Sequence, residues 1–137
     1  MPRTLSILLI EDDKIEKMKV KRTMVSLGLN HRIVEANNGE EALNILKGKD
    51  RLPDIIFLDL NMPKVNGLEF LKILKSDARL KYLPIIVITT SSNYRDLLHC
   101  YEIGIAGYIT KPLKYEHYSE KLKIVLDYWS VNELING

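Results

Sequence analysis

Two kinds of apolar pattern alternate along this chain. Four short segments are apolar on nearly every consecutive position: residues 5–10 (LSILLI), 55–58 (IIFL), 85–89 (IIVIT) and 106–110 (AGYIT). A fifth, residues 31–36 (HRIVEA), is more polar, as an edge strand would be. Consecutive apolar residues suit strands of a parallel sheet covered on both faces. Between the strands the apolar residues recur at helical spacing. Residues 14–27 place Ile15, Met18 and Val25 on one side, and Gly28 stops the helix. Residues 40–46 follow Asn38-Gly39. Residues 68–75 follow Asn66, a capping residue with Glu69 three places later. Residues 94–103 end at Gly104, and residues 116–129 carry Tyr118, Leu122, Val125 and Trp129 on one stripe. Five strands alternating with five helices predict an α/β fold with right-handed crossovers and helices on both faces of the sheet.

The 137 residues suffice for one domain that buries about 68–70% of its unfolded surface. We expect a single domain over 1–137, with a core from 5 to 129 and a short tail from 130 to 137. Twenty basic and eighteen acidic residues leave +2, which gives nucleic acid no electrostatic footprint. No apolar run is long enough to span a membrane. The opening MPRTLSILLIEDD reads as a first strand followed by acids, not as a leader. The one cysteine, Cys100, excludes an internal disulfide and fits a reducing, cytoplasmic compartment. His31, His99 and His117 are scattered and read as surface or packing residues.

In open α/β sheets, ligands bind beyond the carboxyl ends of the strands. Those ends carry Glu11-Asp12-Asp13, Asp59-Leu60-Asn61, Thr89-Thr90-Ser91 and Thr110-Lys111-Pro112. Carboxylates gathered in one crevice repel and destabilise one another unless a cation relieves them. All-oxygen donors with room for water favour Mg2+, or Mn2+ in its place. Such a cation leaves a carboxylate ionised as a nucleophile toward phosphorus. Lys111 then supplies charge to a phosphate oxygen, and Thr89 supplies a hydroxyl.

Asp12-Asp13, Asp59 with Asn61-Met62-Pro63 and Gly67, Thr89, and Gly107-Tyr108 with Lys111-Pro112 together resemble the receiver domain of two-component response regulators. The resemblance covers residues 5–128. It implies a flavodoxin-like (βα)5 fold, a doubly wound parallel sheet of order 2-1-3-4-5. It implies phosphorylation of Asp59 by a histidine kinase, a His phosphotransfer protein or small phosphodonors. Asp13, Asp59 and the backbone carbonyl of Asn61 would bind Mg2+, with Asp12 acting through water. Thr89 and Lys111 would contact the phosphoryl group, and Thr89 and Tyr108 would form the switch. Pro112 would follow a cis peptide bond. Asn61 and Ser91 would flank the path of an attacking water. LLIEDD, LKSDARLKYLP, ITTS, YITKP and the closing DYW are similar to stand-alone receivers of the phytochrome-partner type. Asn66 stands where Asp is frequent, and Lys114 stands where a capping Asp or Thr is frequent, which predicts a weak cap on the last helix.

All seven tyrosines lie after residue 81 and are joined there by Trp129. Most belong to the fourth helix, fifth strand and fifth helix, either as core packing or as the surface of a homodimer or partner contact. The expected protein turns over no separate metabolite; it catalyses only its own phosphorylation and dephosphorylation. Two other readings are an aspartyl-phosphate hydrolase and a nucleotide-binding flavodoxin-like domain. Asn61 stands where the first would have a second acid, and Glu11-Asp12-Asp13 repels the phosphates of the second.

Overall fold

Strands and helices alternate strictly in the computed structural model, which describes residues 3–48, 51–62 and 66–135. The elements are β1 (Ser6–Ile10), α1 (Lys14–Ser26), β2 (Arg32–Ala36), α2 (Gly39–Lys47), β3 (Ile55–Leu58), α3 (Gly67–Lys75), β4 (Ile85–Thr89), α4 (Tyr94–Ile103), β5 (Gly107–Thr110) and α5 (Tyr115–Ser130). All four strand pairings are parallel, in the order β2-β1-β3-β4-β5, which is the flavodoxin-like arrangement expected. Pro63, expected in the turn after Asp59, lies outside the described residues, as do the two chain ends of the expected 1–137 domain.

The consecutive apolar runs are explained by two cores. Leu8, Ile10, Ile56, Leu58, Ile85 and Val87 point to one face, against Phe70, Leu71 and Leu74 of α3. Their neighbours Ile7, Leu9, Ile55, Phe57, Ile86 and Ile88 point to the other, against Val20 and Met24 of α1 and Tyr118, Leu122 and Leu126 of α5. Successive strand side chains alternate faces, so a sheet covered on both sides needs apolar residues at every position.

Helix α1 departs from its expected orientation. Ile15, Met18 and Val25 are 66%, 57% and 81% exposed, while Val20, Thr23 and Met24 are buried. The side facing α5 is fixed in part by polar contact, since the Thr23 and Tyr115 hydroxyls lie 3.0 Å apart. Hydrophobic spacing alone therefore selected the wrong stripe. The helix stops where expected. Gly28 adopts φ +65°, its N–H donates to the Val25 carbonyl at 3.1 Å, and Leu29 N–H donates to Met24 at 2.9 Å. This is the reciprocal pair of a Schellman ending.

Asn66 caps α3 by accepting the Glu69 N–H at 3.0 Å. Lys114 gives α5 no side-chain cap, as its residue type predicts. Gly67 meets a tighter constraint: a Cβ there would lie 2.6 Å from Leu60 Cα. Gly67 can approach Leu60, the residue after Asp59, this closely only because that carbon is absent.

Gly67→Ala should cost about 1–3 kcal/mol through overpacking against the backbone, as measured by urea denaturation. His31 supplies a pH-dependent term. Its Nδ1 accepts the Leu5 N–H at 2.9 Å, which requires an unprotonated nitrogen. Burial lowers its pKa from 6.5, against the opposing charge of Asp127. A base with a lowered pKa in the fold stabilises above its unfolded value and loses that contribution as pH falls. Wild type should thus lose more stability than His31→Gln as the pH falls below about 6.5; equal losses would contradict this.

Candidate functional site

Backbone hydrogen bonds continue the sheet one residue past its strand ends and so fix the site. Glu11 N–H donates to the Ala36 carbonyl at 3.0 Å, Asp59 N–H to Ile10 at 3.0 Å, and Lys111 N–H to Thr89 at 2.7 Å. Ile10 pairs with Leu58 in register, so Glu11 and Asp59 are the next residues on adjacent strands. Ligand oxygens of Glu11, Asp12 and Asp59 all lie within 4.8 Å of one another. Glu11 and Asp59 are buried, at 4% and 8% exposure, and Asp12 faces solvent.

This trio differs from the expected metal set at one position. Asp13 lies outside it. Its Oδ1 accepts the Ile15 and Glu16 N–H groups at 2.8 and 3.2 Å, capping α1. The physical reason is register: the chain leaves the sheet at Glu11, so Asp13 is already the helix cap. Glu11 occupies the inner place. It was legible as the first residue past the strand, in line with Asp59, but an adjacent pair of aspartates is the more conspicuous signal.

Lys111 joins the trio from β5. Its Nζ lies 2.6 Å from Glu11 Oε1 and 3.4 Å from Glu16 Oε2. Both ends of the closer pair are buried, with 7% and 5% of the side chains exposed. Burial pushes the Glu11 carboxyl up to about 7 even though the Lys111 ammonium opposes it, and the Asp59 charge adds to the rise. Burial pulls Lys111 down, but its bond to Glu11 and the charges of Glu11, Asp59 and Glu16 more than reverse this, leaving it above its ordinary value. Glu11, Glu16, Asp59, Lys111 and Tyr118 line one small pocket.

Thr89 is fully buried, and its Oγ1 accepts the Ser91 N–H at 3.3 Å. Asn61 is exposed, and its N–H donates to Asp59 Oδ1 at 3.4 Å. The Tyr108 hydroxyl donates to the Ser91 carbonyl at 2.9 Å, tying β5 to the loop after β4. Ser91 Oγ donates to Asp96 at 2.8 Å. The expected cis bond before Pro112 is corrected: no described peptide bond is cis. Trans is the favoured state of an X–Pro bond by about 0.5–1 kcal/mol, and here Lys111 reaches Glu11 across the site with a trans bond following it.

The family model of the response regulator receiver domain matches residues 7–123. The chain belongs to that family. A probable methanogenesis regulatory protein of Methanothrix harundinacea, FilR2, is 35% identical over 127 residues, covering 90% of this chain and 82% of that protein. The crystal structure of the phosphorylated cyanobacterial phytochrome response regulator RcpA superposes with a TM-score of 0.88 at 32% identity, covering 96% and 99% of the two chains. The Mn2+-bound form of response regulator Rcp1 gives 0.86 at 29% identity, covering 95% and 98%; Rcp1 of Synechocystis is 30% identical over 128 residues. This receiver domain is therefore a component of two-component signalling, and receiver domains bind a divalent metal at an acidic pocket.

The donor set here fits such a cation. Three carboxylates on one rim, two of them buried and only Glu11 paired in the described contacts with Lys111, leave an excess of negative charge that hard oxygen-seeking cations neutralise. Asp12→Asn should weaken Mn2+ binding by about tenfold or more. Asp13→Asn should leave it nearly unchanged, because Asn caps a helix as well as Asp does. Calorimetric titration compares the two, and equal losses would return Asp13 to the metal set.

Proposed function

We propose that this chain is a single-domain response regulator that accepts a phosphoryl group on Asp59 and signals through a changed surface. The observation that carries the reading is the buried Asp59 carboxylate in one pocket with Glu11 and Lys111. Glu11, Asp12, Asp59 and the Asn61 backbone carbonyl would hold Mg2+. Bound there, Mg2+ would screen the acids and the incoming phosphoryl oxygens, keeping Asp59 ionised.

A phosphohistidine on a histidine kinase or His phosphotransfer protein is the proposed donor. An Asp59 carboxylate oxygen attacks phosphorus in line; the N–P bond breaks, and its electron pair stays on the imidazole, which takes a proton from water. Lys111 exchanges Glu11 for a phosphoryl oxygen. Thr89 Oγ1, which accepts from Ser91 N–H, keeps its own proton to donate to the phosphoryl group. Drawing Thr89 inward pulls on Ser91, and thereby on the Tyr108 hydroxyl bound to the Ser91 carbonyl. Thr89 and Tyr108 are thus the proposed switch, with Asn61 and Ser91 flanking the approach of the water that ends the signal.

No separate metabolite is turned over in this scheme. Asn61, two residues past Asp59, carries an amide that cannot protonate a leaving group, which disfavours a phosphate-ester hydrolase. We place the protein in the cytoplasm on the strength of the family and of Cys100, a buried free thiol. Among the described residues no helix is long and apolar enough to cross a membrane.

The aromatic residues divide. Tyr118 packs in the core, while Tyr94, Tyr101 and Tyr128 are 71%, 51% and 58% exposed on α4 and α5. The face made by α4, β5 and α5 is the proposed contact with a second copy or a partner.

Acetyl phosphate with Mg2+ should add one phosphoryl mass to wild type and none to Asp59→Ala; equal labelling of both defeats the reading. Sedimentation should show association strengthened by beryllofluoride and weakened by Tyr101→Ala. An unchanged monomer in every case leaves the receiver reading intact and removes the homodimer.

A further inference from the structure

Glu16 was not among the residues expected at the site, yet the fold brings it there. It lies in the first turn of α1, where Asp13 accepts its backbone N–H. Its Oε1 accepts from Lys19 Nζ at 3.1 Å, and its Oε2 faces Lys111 Nζ at 3.4 Å. Four charges thus form a chain, Lys19–Glu16–Lys111–Glu11, leading from a partly exposed lysine to the rim of the sheet. Within it, Glu16 Oε2 is buried and receives no hydrogen bond. A buried acceptor left open is costly, and the cation facing it is Lys111.

Glu11 has two calls on it. It pairs with Lys111, and it belongs to the carboxylate trio with Asp12 and Asp59. A cation among the three acids would draw the Glu11 carboxylate and repel the Lys111 ammonium, leaving Nζ in need of an acceptor. Glu16 Oε2 is open to serve.

We propose that Glu16 is a positioning residue for Lys111, the second carboxylate that holds its ammonium when Glu11 turns toward metal and that must yield it to a phosphoryl group on Asp59. This rests on the reading of Asp59 as phosphoryl acceptor. Its consequence is a pair of effects of opposite sign. The Glu16 charge favours the cation and opposes the anion, because it sits near both and competes for the one lysine that serves the anion. Mere loss of packing between α1 and the sheet would weaken both.

Calorimetry on the full chain tests this, titrating Mg2+ alone and then beryllofluoride at saturating Mg2+. Glu16→Gln should weaken Mg2+ about three- to tenfold and tighten beryllofluoride by a similar factor. Glu16→Asp keeps the charge and should stay closer to wild type for Mg2+. Lys19→Gln removes the competing cation from Glu16 and should shift both affinities the other way; this change at a partly exposed position also decides the matter if Glu16→Gln fails to fold. Both ligands unchanged, or both weakened, in Glu16→Gln overturns the proposal, as does a Lys19→Gln shift in the direction expected of Glu16→Gln. Asp59→Asn separates the layers. If it still takes up beryllofluoride, the phosphoryl-acceptor reading fails; if it does not, while Glu16→Gln shows no opposed shifts, only the role of Glu16 falls.

Discussion

Three carboxylates held within 4.8 Å by backbone register are the constraint around which this molecule is arranged. Glu11 and Asp59 cannot relax apart, because each donates its N–H to a neighbouring strand one step beyond the sheet. The repulsion is therefore built into the fold, and one ammonium, Lys111, offsets only part of it. A divalent cation offsets the remainder, and a phosphoryl group on Asp59 would add negative charge back. An energy difference between metal-free, metal-bound and phosphorylated forms follows from charge alone, before any surface has moved.

Hydrogen bonds also connect the site to the loop after β4. Lys111 is anchored to Thr89 through its backbone, Thr89 to Ser91 through its hydroxyl, and Ser91 to Tyr108 through its carbonyl. Each link is a single hydrogen bond, so the loop after β4 depends on where Lys111 and Thr89 place their polar atoms. The exposed aromatics of α4 and α5 lie downstream of that loop. Similar frames are reached with about a third of the residues identical, as in RcpA, which is consistent with backbone register as the main determinant of the site.

The sheet was readable because burial on both faces writes itself as consecutive apolar residues: β3 and β4 fall on the expected bounds, and β1 differs by one residue. Caps and stops were equally local, as at Asn66, Gly28 and the uncapped Lys114. What escaped was whatever a one-residue shift decides. Asp12 and Asp13 look like a pair in sequence, but the chain leaves the sheet at Glu11, which moves the inner carboxylate back by one and turns Asp13 into a cap. The α1 stripe failed for a related reason, since its buried side includes Thr23, which apolar spacing cannot flag. Glu16 carries no sequence signal at all; only the three-dimensional approach of α1 to β5 makes it a neighbour of Lys111.

The most direct test of the account is a crystal structure grown with Mn2+, with the metal located by its anomalous scattering. The account predicts one peak bonded to oxygens of Asp12 and Asp59, with Lys111 displaced from Glu11 toward Glu16. A peak ligated by Asp13, or a metal-bound site in which the 2.6 Å Lys111–Glu11 contact persists unchanged, would contradict it.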